Sequence, residues 1–215
     1  MTYHVIGISG SPVKGGNVET FLQRMLDVAS ASGASAEAIH LSNVEVRECI
    51  HCNFCLNKQK PGRYCSLRDD AQQIFEKIGD ADIIVLASPV YFMRTSGAMA
   101  SFIDRLRVFM YGNITGGGLK NKIGVSAAVS WLRNAGLETT HLSHILAFMT
   151  LGMIPVSTHG SVSPLGASAV SSSGGAGIFE QDIGLGTAHD EPGLKSADAV
   201  MERALELARL IRKNI

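Results

Sequence analysis

Cysteine occurs four times in this 215-residue chain, and all four copies fall within seventeen consecutive positions: Cys49, Cys52, Cys55 and Cys65. Thiolates are soft ligands, so a set this tight suits an iron–sulfur cluster, zinc or redox thiols. Spacing separates these options. Zinc ribbons and fingers set two C-x2-C pairs apart, each gripping from its own knuckle. Here three cysteines follow at intervals of three, the C-x2-C-x2-C run with which one loop wraps a cubane cluster, and a fourth closes the last corner. The spacing favours a cluster, with zinc and free or disulfide-forming thiols as rivals. A disulfide needs an oxidising compartment, and the chain opens on a strand-like Thr2-Tyr3-His4-Val5-Ile6 with no signal peptide. The expected setting is cytoplasmic.

A second set of chemistry-bearing residues lies in loops. The segment Ser9-Gly10-Ser11-Pro12-Val13-Lys14-Gly15-Gly16-Asn17 leads from an apolar run into a helical pattern that begins near Val18. Its glycines let backbone approach a ligand, Ser9, Ser11 and Asn17 offer hydrogen bonds, and Lys14 adds a charge. Free amides at the start of the next helix, from Gly16 through Asn17 and Val18, make a natural phosphate seat. The segment is neither a Walker A loop nor a G-x-G-x-x-G fingerprint, and an empty tight turn is the plain alternative. Ser88-Pro89-Val90-Tyr91-Phe92 and the residues on to Gly97 form a second loop, with aromatic and backbone groups suited to a flat heterocycle. A third runs from Ser130 through Trp131 and Arg133 to Gly136. Taken singly, its aromatics and those of the second loop read as ordinary packing.

Positioning these loops requires alternating strands and helices. Strands are expected at Tyr3–Ile8, Ala36–Leu41, Ala81–Ala87, Lys122–Ala128 and Met153–Val156. Helices are expected at 18–29, 69–78, 97–109, 138–151 and 197–211, from apolar residues at helical spacing. Such alternation predicts one domain over 1–215, with a parallel sheet joined by right-handed crossovers and helices on both faces. The cysteine loop, 46–67, follows the second strand. Residues 160–192 are rich in Gly, Ser and Ala and read as a flexible loop near the site or an oligomer contact. Hydrophobic content of 46% fits a globular fold, and zero formal net charge gives no pull towards nucleic acid or anionic membrane. No apolar run is long enough to span a bilayer.

Taken together, Gly7-Ile8-Ser9-Gly10-Ser11-Pro12 with Gly15-Gly16-Asn17, Ser88-Pro89-Val90-Tyr91-Phe92 and Phe102-Ile103-Asp104-Arg105 resemble the flavodoxin-like NADPH-dependent FMN reductase family. With the cysteine cluster added, the chain resembles that family's iron–sulfur flavoprotein branch. The resemblance implies a flavodoxin-like three-layer α/β sandwich with a five-stranded parallel sheet of order 2-1-3-4-5. It implies FMN and a [4Fe–4S] cluster as cofactors. By position, Ser9, Ser11 and Asn17 would hold the FMN phosphate, Pro89, Val90, Tyr91 and Phe92 the isoalloxazine, and the four cysteines the iron. The gap from Cys55 to Cys65 is longer than the branch's usual spacing, which bears most on Cys65. The resemblance also implies a homodimer or homotetramer, and a redox partner such as ferredoxin or NAD(P)H.

Three functions follow from these residues: an electron-transfer flavoprotein carrying FMN and the cluster, an NAD(P)H-dependent FMN or quinone-type reductase with a structural or zinc-binding cysteine loop, and a flavin or thiol redox sensor. No acid–base catalytic residue is expected. His51 reads as a loop histidine, and Arg94 and Arg133 as solvated. His141 and His144 read as helix surface, and Asp69 and Asp70 as favouring a helix start. Asp104 and Arg105 read as ties for the flavin loop's helix.

Overall fold

The computed structural model describes residues 2–178 and 186–212. In chain order its elements are β1 (His4–Ser9), α1 (Asn17–Ala31), β2 (Ser35–His40), α2 (Phe54–Asn57), α3 (Ala71–Asp80), β3 (Ile83–Tyr91), β4 (Arg94–Thr95), α4 (Gly97–Arg105), α5 (Arg107–Tyr111), β5 (Ile123–Ser130), α6 (Leu137–Thr150), β6 (Ile154–Pro155), β7 (Ala167–Val170) and α7 (Glu191–Arg212). β1, β3 and β5 are apolar and buried along nearly their whole length, whereas β2 alternates exposed and half-buried positions and buries only Ile39. Strands hidden on both faces must lie inside a parallel sheet covered on each side, and an alternating one belongs at an edge. The sheet obeys this rule, with order β2-β1-β3-β5 followed by a fifth place.

That fifth place is shared. β6 pairs with the start of β5 (Ile123 with Ile154), and β7 pairs with its end (Ala127 to Ser130 with Ala167 to Val170), both parallel. Leaving out the short β4, which folds back antiparallel on β3, this is the flavodoxin-like order expected from the sequence. α1 and α7 cover one face, with Phe21, Leu22 and Met25 meeting Val200, Met201 and Ala204. α3, α4, α5 and α6 cover the other through Phe75, Phe102, Phe109 and Phe148. Among the described residues, no helix is long and apolar enough to cross a membrane.

Three expectations need correcting. The Gly/Ser-rich stretch 160–192 is not a structureless loop. It holds β7, buried at all four positions, and the start of α7, while 179–185 lie outside the described residues. Helix 97–109 is broken at Leu106 into α4 and α5. His141 and His144 are not surface residues. Both are fully buried, facing β5, because hydroxyls on three strands satisfy their ring nitrogens. With no charged partner, burial disfavours the imidazolium and lowers His141 to about 4; it lowers His144 to about 3, with His141 adding to the effect.

Candidate functional site

At the carboxyl ends of β1, β3 and β5, the first and second loops face each other across a cleft of about 170 Å³. Six of the expected residues line it: Ser11, Asn17, Val18, Pro89, Val90 and Tyr91. Val13, Val129, Trp131 and Ser171 complete the lining. Trp131 was legible as part of the third loop, whereas Ser171 comes from the stretch read as irregular.

The first loop is held by its own side chains. The buried Ser9 Oγ accepts the Ser11 amide at 3.3 Å, and Ser11 Oγ accepts the Val13 amide at 3.1 Å. Gly15, at φ +62°, turns the chain so that the Gly16 amide reaches the Val13 carbonyl at 3.3 Å, and Gly16 caps α1 without a side-chain bond. The amides of the first turn thus face the cleft unserved by a cap, as an anion seat requires. Glu19 takes the Gly15 amide at 2.7 Å. Asn17 Oδ1 accepts from the Thr187 amide and hydroxyl at 3.0 and 2.9 Å, so its contribution to the cleft is its Nδ2 donor. Lys14 does not line the cleft; the turn leaves it exposed on the crest of the loop.

In the second loop, Pro89 and Val90 border the cleft directly and Tyr91 is half-exposed at its mouth. Phe92 departs from expectation. It is 99% exposed and absent from the lining, because Phe92 and Met93, at φ +48° and +63°, form the two-residue turn between β3 and β4. Positive φ at both positions is the hairpin geometry usually given to Asn-Gly, and it throws the ring outward. The turn is held in place by Thr139 Oγ1, which donates to the Met93 carbonyl, and by Gly136, where a Cβ would meet Met93 Cα at 2.4 Å.

All four cysteines are free and line a single pocket at the other end of α4. The loop carrying them bends at His51 and Asn53, both left-handed, on either side of Cys52. Turns of this kind aim successive backbone N–H groups inward and recur at anion and Fe–S sites. Cys55 is buried and Cys52 exposed. The Ser66 hydroxyl, 3.0 Å from Cys52 Sγ, lowers that thiol, whereas burial raises Cys55. Arg107 Nη2 donates to Asn53 Oδ1 at 2.6 Å, while its Nε is buried in the same pocket with no partner. An orphaned guanidinium donor beside four thiols fits an anionic group.

Individual long-range clamps hold this loop. Asp70, the residue before α3, does not cap it through its side chain. Asp70 accepts the Glu45 amide at 2.8 Å and Asp69 the Arg47 amide at 3.0 Å. Arg105, 1% exposed, forks onto both oxygens of Asp69 at 2.7 and 3.0 Å and onto the Arg47 carbonyl at 2.7 Å. Burial pushes the Asp69 carboxyl up, but these bonds outweigh it and hold it below its usual range. Arg105 is therefore a tie, as expected, but it ties the cysteine loop. The long gap from Cys55 to Cys65 is closed by a turn at Lys60–Arg63, with Gly62 at φ +73°. Gln59 anchors it: Nε2 donates to the Tyr64 and Val108 carbonyls, and Oε1 accepts the Ile114 and Thr115 amides. His51 is exposed; Arg133 pairs with Asp190 at 3.1 Å rather than standing free.

The sequence model of the NADPH-dependent FMN reductase family matches residues 3–166. An iron–sulfur flavoprotein of Methanocaldococcus jannaschii is 34% identical over 97% of this chain and 99% of that protein. One of Archaeoglobus fulgidus is 32% identical over 95% and 94%. In fold, the chain matches RosB, solved with 8-demethyl-8-formylriboflavin-5′-phosphate bound, at a TM-score of 0.77 and 15% identity, covering 99% of this chain and 81% of that one. It also matches an NADH:FMN oxidoreductase in its apo form at 0.63 and 16%, covering 95% and 90%. A cleft at the sheet's carboxyl edge, a four-cysteine pocket and full-length likeness agree: the chain is a member of the NADPH-dependent FMN reductase family of flavin-dependent oxidoreductases, and within it groups with the iron–sulfur flavoproteins.

Proposed function

We propose that the protein is an electron-transfer flavoprotein that holds FMN in the cleft and a [4Fe–4S] cluster on Cys49, Cys52, Cys55 and Cys65. The observation that carries this reading is the position of the two sites at the two ends of one short helix. Ser96, the cap of α4, donates from its hydroxyl to the Gly10 carbonyl of the first loop at 2.7 Å. Arg105, the last residue of α4, lines the cysteine pocket. Nine residues of helix span about 13 Å. When bound, FMN exchanges electrons in pairs or singly and the cluster singly, so the two together join two-electron donors to one-electron carriers.

The chain's own residues supply binding and tuning. The first amides of α1, with Ser11 and Asn17 Nδ2, take the phosphate. Pro89, Val90, Tyr91 and Trp131 offer apolar and aromatic surface to the ring system. Arg107 and Arg105 balance the negative charge of a thiolate-bound cluster. The partners are NAD(P)H or a small one-electron carrier such as a ferredoxin, for which exposed Lys58, Lys60 and Arg63 beside the pocket supply attraction. The working form is a cytoplasmic homodimer or homotetramer. Replacing Cys52 with Ala tests the assignment: iron content falls away while FMN stays bound. A full cluster retained in Cys52→Ala would show that the ligand set is wrong.

A further inference from the structure

Six side chains form one continuous buried chain from β7 to the second loop, and no role in binding or electron transfer accounts for it. Ser168 Oγ lies 2.7 Å from His141 Nε2, and His141 Nδ1 lies 2.7 Å from Ser126 Oγ. Ser126 Oγ lies 2.9 Å from His144 Nδ1, and His144 Nε2 lies 3.1 Å from Thr95 Oγ1. Thr95 Oγ1 then donates to Ser88 Oγ at 3.0 Å, and Ser88 Oγ donates to the Pro89 carbonyl at 2.8 Å. None of the six is more than 5% exposed.

The direction of every bond follows from the last one. A hydroxyl has one proton, and Ser88 spends it on the Pro89 carbonyl, so its lone pairs take the Ser96 amide at 2.9 Å and the Thr95 hydroxyl. Thr95 must therefore accept from His144 Nε2–H, which leaves Nδ1 to accept the Ser126 proton. Ser126 in turn accepts from His141 Nδ1–H, and His141 Nε2 accepts from Ser168. Two neutral histidines are thus held in opposite tautomers, and the chain ends on a backbone carbonyl that borders the cleft. Gly166 makes room for it: a Cβ there would lie 2.9 Å from His141 Nδ1.

We propose that His141 and His144 are positioning residues for the flavin cleft, fixing Ser88, Thr95 and the Pro89 carbonyl through this one-directional chain. The inference rests on the reading of the cleft as the FMN site. The chain's polarity is tested on the unaltered protein by 15N NMR of the imidazoles, with protons expected on His141 Nδ1 and His144 Nε2; the reverse tautomer at His144 would overturn the proposal. Its consequence is tested by FMN affinity in flavin-depleted protein. His144→Leu, which lacks the donor to Thr95, should weaken FMN binding by about tenfold, the scale of one buried hydroxyl left unserved. His144→Gln, whose amide can again donate to Thr95, should recover most of that loss, a rescue that general loosening of the core would not give. Leu and Gln variants that bind FMN like the unaltered protein overturn the inference alone. Unaltered protein that binds no FMN removes the flavin reading, and the inference with it.

Discussion

The cleft and the cysteine pocket stand at opposite ends of α4, yet they are built in different ways. The cleft is made from the ends of three parallel strands, stiffened from below by hydroxyls and two neutral imidazoles. The pocket is made from an irregular segment with one four-residue helix, closed by Arg105, Arg107 and Val108, and is held by point clamps at Asp70, at Gln59 and at the Asp69–Arg105 pair. A sheet-built site inherits its shape from periodic packing. A clamp-built site depends on a few point contacts, each with a large individual effect.

Acid should act mainly on the sheet side, and it is the largest lever. The folded-state values of His141 and His144, about 4 and about 3, lie below the ordinary 6.5. The unfolded chain therefore takes up protons first, so this stability is complete above pH 6.5 and is lost as pH falls towards 4. Between pH 7 and 4.5 the two groups together account for a loss of about 5 kcal/mol, measurable by urea denaturation across pH. Asp69 adds its own loss only further down, as pH drops through the ordinary carboxylate range. Replacing both histidines with Gln should flatten the profile above pH 5; an unchanged slope would place the titration elsewhere.

Arg105→Met should be the largest single substitution on the clamp side. It leaves the Asp69 carboxylate buried without its cation, at a cost of about 3–5 kcal/mol. Iron retention should fall with it, while the tautomers of His141 and His144 stay as they are. Smaller still is Gln59→Leu, which removes four hydrogen bonds to backbone groups around the long cysteine gap. A loss of about 2 kcal/mol is expected, with faster hydrogen exchange at Ile114 and Thr115 and little change at β5. Equal loosening at both ends of α4 in either variant would contradict the division between the two sites.

The same contrast governs what the sequence made legible. A parallel sheet and its helix faces follow from local periodicity, the strand order from the family resemblance, and the cysteine site from spacing. β7 was missed because Ala-Ser-Ala-Val carries no bulky apolar signal and is buried by α7 rather than by its own side chains. His141 and His144 read as helix surface because no further residue completes a metal-ligand set with them; their partners are hydroxyls on β4, β5 and β7, up to 49 positions away. Asp69 reads locally as a helix-start residue, and only the fold reveals Arg105 beneath it. Phe92 reads as a ring contact until the hairpin turn sets its direction.

The central claim is two cofactors in one chain, and its most direct test is compositional. Iron, acid-labile sulfide, zinc and flavin should be quantified on anaerobically purified protein, together with the visible spectrum. The account predicts about four irons and four sulfides per FMN. FMN accompanied by zinc, or by no metal, would contradict it and leave a flavin reductase whose cysteine loop serves another purpose.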